Sequence, residues 1–453
     1  MITVQEYQKR RNRVFEAMNA LQSADKQANA DMGVAILQGE AKESSHTRFR
    51  QVNDLMYLCP IETPHSYLVL DGRDKSSHLF LPYQPLKGRD REEPLLTASD
   101  PDEVIKVTGV DEVHGLDALA GYLERVRHLY TPLRAGEGAM QSWDTLERAQ
   151  QERSSDPWDG RLDRMRHFIK HLRERLPAAS IHNLSGILDD LRLVKSEAEI
   201  ALLRHAGRLS AFGLIEAMRA TKAGVMEYQI DAIMRFVYLN NGARDVSYRA
   251  IIAGTKNAWY GHYNANDQVL NDGDLLLVDC GPDYKYYASD ITRMWPVSGV
   301  YDPVQRQLYE FMVDYHKTFL RLLRPGVTAE QVRDEAREEM AAVVARTRFA
   351  KPIYQEAAQR ALDFPYHLSH PVGMAVHDVG HYRGKVLKPG IVLTVDPQLI
   401  IPEERLYIRV EDTVVMTENG IENLTVDAPL ELDDVEACMK EASILDRYPQ
   451  LST

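Results

Sequence analysis

The stretch Leu276–Pro296, LLVDCGPDYKYYASDITRMWP, decides the fold of the C-terminal part of the chain. Its first apolar run ends in Asp279, and the β-like run that follows carries Asp290. A buried strand that ends in a carboxylate needs something to offset the cost of desolvation. A hairpin that turns between Tyr284 and Lys285 sets the two carboxylates directly opposite each other, with Cβ atoms about 5 Å apart. They repel unless they share a proton or a cation, and the plainer alternative is two solvated aspartates in a turn or at an edge.

A second hairpin is predicted further along the chain. The largely apolar run Ile391–Val395 is followed by Asp396. The return strand, Leu406–Met416, carries Arg409 and Glu411 on one face by period-two alternation. A turn centred between residues 403 and 404 sets Asp396 opposite Glu411. The sequence therefore predicts two hairpins that each offer a facing pair of carboxylates.

Between the hairpins lies a histidine-rich segment, HLSHPVGMAVHD, at residues 367–378. Lone histidines are mostly structural, but a cluster between two carboxylate pairs indicates a ligand and a proton carrier. Four carboxylates and one imidazole suit Mn²⁺, Co²⁺ or Zn²⁺ better than copper or an iron–sulfur centre. Carboxylates that bridge two ions roughly 3.5–4 Å apart activate one shared water molecule.

Several segments resemble the pita-bread metallopeptidases, most closely the Xaa-Pro aminopeptidase (aminopeptidase P) branch and next the Xaa-Pro dipeptidase (prolidase) branch. In the C-terminal part these are Leu276–Pro296, Ser369–Gly380 (SHPVGMAVHDVG), Ile408–Asp412 (IRVED) and Ala253–Asp267 (AGTKNAWYGHYNAND). In the N-terminal part, His46–Leu58 (HTRFRQVNDLMYL) and Arg89–Glu92 (RDRE) resemble the aminopeptidase P N-terminal domain. The resemblance covers nearly the whole chain, and the metal motifs are highly specific in combination.

The resemblance implies a set of site residues. The implied ligands of two divalent metal ions, Mn²⁺ first with Co²⁺ or Zn²⁺ as alternatives, are Asp279, Asp290, His370, Asp396 and Glu411. His262 and His377 match family histidines that contact the substrate and stabilise the tetrahedral intermediate. Arg409 matches a basic residue beside the site, and an ion pair with a neighbouring carboxylate is equally compatible with it.

Three positions depart from the family pattern. The family usually has Glu-Pro-Gly-x-Tyr where this chain has DPQLI at residues 396–400, so the Asp396 carboxylate is one methylene shorter and Gln398 stands at the usual glycine position. The register gives Tyr366 where the family often has a histidine, and His367 is one place off. Pro371 replaces a residue that is often bulky in this branch. These changes bear on metal occupancy and on the proton acceptor, but not on the fold.

The resemblance and the hairpins together predict an α+β fold, with a C-terminal pita-bread domain of two related halves and an N-terminal α/β domain. The predicted domains are residues 1–180 and 181–453. A faint internal repeat supports two halves, because Gly224-Val225 and Gln229-Ile230 recur as Gly326-Val327 and Gln331-Val332 at one constant offset. Ser196, followed by Glu197 and Glu199, predicts a helix that continues to about Ala220.

Bulk properties narrow the partners and the compartment. The formal net charge of −13 argues against a nucleic-acid partner, because phosphate binding needs a basic face. No run approaches the roughly 20 apolar residues of a membrane-spanning helix, and the N-terminal stretch lacks the apolar region of a secretory signal. Three widely spaced cysteines suit a reducing cytoplasm. The resemblance further implies a homo-oligomer, either a dimer or a tetramer.

The sequence therefore favours metal-dependent hydrolysis of the bond between an N-terminal residue and a following proline. In this hypothesis Asp396 takes a proton from water and passes it to the departing proline nitrogen, while His377 or His262 donates to the oxyanion. The alternatives are a prolidase acting on Xaa-Pro dipeptides, and a non-catalytic pita-bread binding protein, suggested by the altered segment at Asp396. A metal-free, creatinase-like hydrolase fits least, because all five ligand positions keep a side chain able to bind metal.

Overall fold

The computed structural model describes residues 2–24, 33–42, 46–83 and 94–446. The chain forms two compact units, Met1–Arg192 and Leu193–Thr453. The division follows Arg192, whereas the sequence suggested a boundary near residue 180. The reason for the difference is the strand Ser180–Asn183, which pairs with a strand of the first unit. The segment Arg89–Glu92, which carried part of the N-terminal resemblance, lies outside the described residues.

The first unit is built on a mixed six-stranded sheet in the order β4-β3-β2-β1-β5-β6. Its strands are β1 (Val34–Gln38), β2 (Tyr67–Asp71), β3 (Ser76–Leu81), β4 (Glu112–Gly115), β5 (His128–Thr131) and β6 (Ser180–Asn183). Its helices are α1 (Val4–Ala24), α2 (Asn53–Leu58), α3 (Pro101–Thr108), α4 (Leu119–Leu123), α5 (Trp143–Ser155), α6 (Arg164–Arg175) and α7 (Ser185–Leu193). Apolar side chains of β1, β2, β3 and β5 pack against Phe168 and Leu172 of α6 to form a core.

The second unit contains a seven-stranded sheet in the order β12-β13-β16-β11-β9-β8, with β17 paired to β16. Its strands are β7 (Asp245–Val246), β8 (Ile251–Ala253), β9 (Leu275–Cys280), β10 (Pro282–Asp283), β11 (Ile291–Pro296), β12 (Leu368–Pro371), β13 (Val392–Val395), β14 (Gln398–Ile401), β15 (Leu406–Arg409), β16 (Glu411–Thr417) and β17 (Gly420–Asn423). Its helices are α8 (Glu197–Ala220), α9 (Glu227–Asn240), α10 (Thr255–Ala258), α11 (Pro303–Leu322), α12 (Ala329–Arg346), α13 (Pro352–Asp363) and α14 (Leu432–Cys438). The helix predicted after Ser196 is α8, and the Ser196 backbone N–H donates a hydrogen bond of 2.9 Å to Glu199 Oε2 at its start.

The internal repeat corresponds to a repeated structure. Helix α9 begins after Met226, and helix α12 begins after Thr328. In both places a glutamine at the third helical position, Gln229 or Gln331, accepts a hydrogen bond of 2.8 Å from the backbone N–H that precedes the helix. The two residues before the helices also form matching bridges, Met226 to Val269 and Thr328 to Val386. The predicted α+β fold of two related halves is confirmed.

The first predicted hairpin is present, but its register differs by two residues. Strands β9 and β11 pair antiparallel with Asp279 opposite Thr292, so Asp279 does not lie directly opposite Asp290. The cause is the turn, which is formed by Lys285 and Tyr286, one residue later than predicted. Both residues have positive φ, 51° and 73°, as a two-residue hairpin turn of the primed type requires. A shift of two residues keeps both carboxylates on the predicted face.

The second predicted hairpin has the predicted register. Strands β13 and β16, and strands β14 and β15, pair antiparallel with the same offset. The pairs that flank the site are Val395 with Asp412 and Gln398 with Arg409. Because both pairs of strands have the same register, Asp396 faces Glu411 between the two hydrogen-bonded ladders. Among the described residues, no helix is long and apolar enough to cross a membrane.

Candidate metal centre

The candidate site gathers one side chain from each of five neighbouring strands of the second unit. They are Asp279 in β9, Asp290 immediately before β11, Glu411 at the start of β16, Asp396 immediately after β13 and His370 in β12. The four carboxylates are buried and the histidine is half-buried. Side chains separated by as many as 132 positions in sequence thus lie in one region of the sheet.

Three of the five approach one another closely enough to share one cation. His370 Nε2 lies 3.4 Å from Asp290 Oδ2 and 3.9 Å from Glu411 Oε1. One ligand atom from each of the three residues lies within 4.8 Å of the others. His370 Nδ1 lies 3.2 Å from the Pro371 carbonyl oxygen, which favours a proton on Nδ1 and leaves the lone pair on Nε2.

Tyr248 joins the two aspartates of the first hairpin. Its hydroxyl lies 2.5 Å from Asp279 Oδ1 and 2.6 Å from Asp290 Oδ1. Burial and the two adjacent carboxylates raise the pKa of this phenol well above its usual value. Glycine at position 281 allows its backbone to lie close to that of Ser289, because a Cβ at this position would lie 1.8 Å from the Ser289 carbonyl oxygen.

Arg409 is the cation among these carboxylates. Its Nη2 contacts Asp279 Oδ2, lies 3.4 Å from Glu411 Oε2 and donates to Thr292 Oγ1 at 2.8 Å. Its Nε lies 3.5 Å from Asp396 Oδ1. The ion pair suggested for Arg409 is therefore present, and it involves three of the candidate ligands.

Asp396, the shorter carboxylate, has a polar neighbour that the sequence analysis did not connect with it. Gln398 Nε2 lies 3.5 Å from Asp396 Oδ2, and Tyr407 donates a hydrogen bond of 3.1 Å to Gln398 Oε1. The other carboxylate oxygen, Oδ1, accepts no hydrogen bond from the described residues. Gln398 belongs to β14 and does not have positive φ, so this position has no need of a glycine.

The electrostatics of the site oppose full ionisation. Burial raises the pKa of Asp290, Asp396 and Glu411, and repulsion from neighbouring carboxylates raises each further. The positive charge of Arg409 counteracts this effect at all three. In the part of the chain that the structure describes, Arg409 is the permanently charged cation that contacts these acidic groups, so the donor set favours additional positive charge.

The donor set fits divalent metal ions. Carboxylate oxygens with one imidazole nitrogen are ligands for Mn²⁺, Co²⁺ and Zn²⁺. Two features are those expected of ligands: a buried Asp396 oxygen that accepts no hydrogen bond from the described residues, and a histidine nitrogen, His370 Nε2, that lies within 3.9 Å of two carboxylates. The five residues named at the start of this section stay the predicted ligands of such ions, and three of them, Asp290, His370 and Glu411, lie close enough to hold one ion.

The two predicted catalytic histidines occupy different environments. The His377 ring lies beside that of His370, with ring centroids 4.1 Å apart. His262 is exposed in the loop that follows α10, and its contact with substrate stays a prediction. Two positions that depart from the family pattern lie just before His370. His367 is buried against the rings of Tyr315, Phe319 and Phe364, and its Nε2 lies 2.6 Å from the Ala361 carbonyl oxygen, so its side chain points into the core. Tyr366 is half exposed.

Two residues beside the site were missed by the sequence analysis. Tyr248 lies far before Asp279 in sequence and belongs to no regular element, so no periodicity marks it. Thr292 donates to Glu411 Oε2 at 2.8 Å, and the hairpin register that would have placed it opposite Asp279 was predicted two residues out. A correct assignment of the Lys285-Tyr286 turn would have revealed Thr292.

The architecture and the site define a metallopeptidase. Residues 201–418 match the family described as Metallopeptidase family M24, and residues 7–131 match the family described as Aminopeptidase P, N-terminal domain. This chain belongs to the M24 metallopeptidase family and is a peptidase hydrolase.

Several similar proteins are named Xaa-Pro aminopeptidase. The chain is 31% identical to Xaa-Pro aminopeptidase of Escherichia coli K12 over 97% of this chain and 99% of that protein. It is 30% identical to human Xaa-Pro aminopeptidase 3 over 97% of this chain and 86% of that protein. One similar solved structure is zinc-substituted E. coli aminopeptidase P in complex with product, with a TM-score of 0.75 and 29% identity over 97% of this chain and 98% of that chain. Another is proline aminopeptidase P II from Yersinia pestis, with a TM-score of 0.76 and 31% identity over 96% of this chain and 99% of that chain.

The raised pKa values predict how the metal-free protein responds to pH. A carboxyl group whose pKa is higher in the folded state stabilises the fold below its unfolded pKa of about 4, and this stabilisation is lost as pH rises through the folded pKa. The metal-free protein should therefore be stabilised by Glu411→Gln increasingly as pH rises from 5 to 9, because glutamine cannot ionise. Urea unfolding of both chelator-treated proteins at each pH measures this difference. Because buried histidines such as His316 and His367, with a pKa of about 4, titrate alike in both proteins, they cancel. A pH-independent difference would contradict the prediction.

Proposed function

We propose that this protein releases the N-terminal residue from peptides that have proline in the second position, using two divalent metal ions, Mn²⁺ first. The observation that carries the proposal is the convergence of four carboxylates and His370 from five neighbouring strands. The proline specificity is supported by the relatives named Xaa-Pro aminopeptidase and by the matching N-terminal domain. When bound in such a site, divalent metal ions polarise a carbonyl and lower the pKa of water.

The side chains of the site divide the remaining work. Asp396 is the proposed proton carrier, because a carboxyl group whose pKa is raised can accept a proton from water and return it to the departing proline nitrogen. His377, beside His370, is placed to donate a hydrogen bond to the developing oxyanion. His262 is the proposed contact to the substrate from the exposed loop. The scissile nitrogen is a tertiary amide, so the site needs space for a ring there and no acceptor for an N–H.

The substrate comparison that tests the proposal uses three peptides. The manganese-loaded protein is expected to cleave Ala-Pro-Ala and to leave Ala-Ala-Ala largely intact, with mass spectrometry identifying the products. Equal cleavage of both would remove the proline assignment while leaving the metallopeptidase class. The dipeptide Ala-Pro separates the prolidase alternative, because faster cleavage of the dipeptide than of the tripeptide favours that branch.

The non-catalytic alternative is addressed by the same assay. Asp396 keeps a buried carboxylate opposite Glu411, which supports catalysis over a protein that only binds. Absence of any cleavage in a protein that binds two manganese ions would favour the binding protein.

The proposal extends to compartment and assembly. Cysteines 59, 280 and 438 are all buried and free, which agrees with a cytoplasmic location. Burial raises the pKa of the Cys59 thiol to about 12 and that of Cys280 higher still, so neither is a reactive thiolate. A dimer or tetramer is proposed from the family resemblance, and sedimentation analysis of the purified protein decides it.

A further inference from the structure

The first unit contains a second group of side chains with the geometry of a metal site. We infer that His78, Glu112 and His114 bind a single Zn²⁺-like transition-metal ion, separate from the candidate site of the second unit. His78 is in β3, whereas Glu112 and His114 are in β4, which pairs parallel with it at the edge of the sheet. His78 lies opposite Glu112, and alternation places His114 on the same face.

The distances among the three ligand atoms match one tetrahedral ion. His78 Nδ1 lies 3.2 Å from His114 Nε2 and 3.5 Å from Glu112 Oε2, and His114 Nε2 lies 3.2 Å from the same Oε2. Ligands about 2.0–2.1 Å from a tetrahedral zinc ion are about 3.3 Å from one another. The three atoms therefore form the triangle that one zinc ion requires, without any movement of the strands.

The hydrogen bonds behind His78 fix its tautomer. Ser76 Oγ contacts Asp74 Oδ1, and because a carboxylate only accepts, the serine hydroxyl donates to it. The serine oxygen is then free to accept from His78 Nε2, which lies 2.7 Å away. The proton on Nε2 leaves a lone pair on Nδ1, the atom that faces the cluster. A metal-binding histidine usually has such a partner on its other ring nitrogen.

The surroundings pack against both imidazoles and still allow a metal to enter. His78 is buried and His114 half-buried, with the ring of His114 stacked on Phe80 at 4.9 Å. Burial, and then the neighbouring His78, lower the pKa of His114. The Glu112 side chain is 59% exposed, so the cluster opens to solvent and leaves a fourth position for water.

The donor set of this group determines which ions it would bind. Two imidazoles and one carboxylate suit Zn²⁺, with Cu²⁺ or Ni²⁺ competing, and do not suit Mg²⁺ or Ca²⁺. Metal binding would tie the edge strand β4 to β3. Residues 82–111, which include α3, connect these strands in sequence, so the ion would join the two ends of this connection.

Zinc titration of the full-length protein tests the inference. Calorimetry with metal analysis should show one more zinc ion per chain in the unmodified protein than in Glu112→Gln/His114→Gln. Glu112→Gln alone, which changes one exposed group and preserves folding, should weaken this site at least about tenfold, and Ser76→Ala should weaken it by about 10–100-fold. Hydrolytic activity at saturating manganese should be the same in all four proteins.

A matched control is available in the same sheet. His128 and His182, on β5 and β6, have the same distance of 3.2 Å between Nδ1 and Nε2 but belong to neither candidate group. His182→Gln should leave zinc stoichiometry and affinity unchanged. Equal zinc stoichiometry and affinity in the unmodified protein and in Glu112→Gln/His114→Gln would overturn the inference, and so would loss of the extra zinc in His182→Gln.

Discussion

Asp396→Ala is expected to abolish measurable release of the N-terminal residue from Ala-Pro-Ala. Loss of a general base alone lowers turnover by about 10²–10⁴-fold, and this substitution also removes a proposed metal ligand. The effect should appear in kcat more than in KM, because the carboxylate transfers a proton in the chemical step and is not proposed to bind the substrate. Steady-state assays at saturating manganese measure it. Asp272→Ala, at an exposed turn, is the control and should retain full activity.

The shorter side chain of Asp396 makes a further prediction about metal affinity. An aspartate reaches roughly 1.3–1.5 Å less far than the glutamate usual in the family, while metal–oxygen bonds are only about 2.0–2.2 Å. We expect one tight and one weak site, with activity that rises as manganese is added. Asp396→Glu should tighten the weak site if the backbone has not moved inward. Calorimetry of the metal-free protein that finds two equally tight sites would contradict this prediction.

The same calorimetry tests Gln398. Its amide nitrogen lies close to Asp396 Oδ2, and Tyr407 donates a hydrogen bond to its amide oxygen. A hydrogen bond from Gln398 would orient the Asp396 carboxylate and partly offset the shorter reach of the aspartate side chain. Gln398→Ala should therefore weaken binding of the second manganese ion more in the otherwise unmodified protein than in the Asp396→Glu background. Equal effects in both backgrounds would show that Gln398 does not act through Asp396.

Arg409→Met is expected to destabilise the metal-free protein by about 3–5 kcal/mol, because removing one partner leaves buried charge uncompensated. Arg409 contacts Asp279 and lies within 3.5 Å of Asp396 and Glu411. Protonation of these carboxyl groups relieves the repulsion, so the loss should be smaller at pH 5 than at pH 8. Metal ions supply positive charge to the same oxygens, so the loss should also be smaller in the manganese-loaded protein. Urea unfolding of chelated and loaded proteins at both values of pH measures all three effects.

Arg405→Met is the matched control for Arg409. It lies on the turn before β15 and is exposed, with its Nη2 3.0 Å from the Tyr260 hydroxyl. Its loss should cost no more than about 1 kcal/mol, as for other surface contacts, with or without metal. A similar cost for both substitutions would show that Arg409 does not balance the charge of the site.

The sequence predicted the positions of the carboxylates better than their pairing partners. Apolar runs that end in Asp279 and Asp396 are local signals, and they correctly marked strands that end at a polar site. The register of the second hairpin was predicted correctly. The first hairpin contains no glycine at its turn, and Lys285 and Tyr286 at positive φ are not residues that propensity favours there.

Other features depend on contacts that no local pattern records. Tyr248 reaches Asp279 and Asp290 across 31 and 42 positions of sequence. Gln398 was interpreted only as an unusual residue at a glycine position, since its relation to Tyr407 follows from the pairing of β14 and β15. His78 and His114 are separated by 36 positions and meet only because β3 and β4 pair in parallel.

The most direct test of the central claim is manganese titration of the chelator-treated protein with Ala-Pro-Ala as substrate. Activity should be absent without metal and should rise with bound manganese in the unmodified protein. Asp290→Ala and Glu411→Ala should bind less manganese and remain inactive throughout, with folding checked by circular dichroism. Full activity in the metal-free protein, or undiminished manganese binding and activity in both variants, would contradict the assignment of these carboxylates as the metal site.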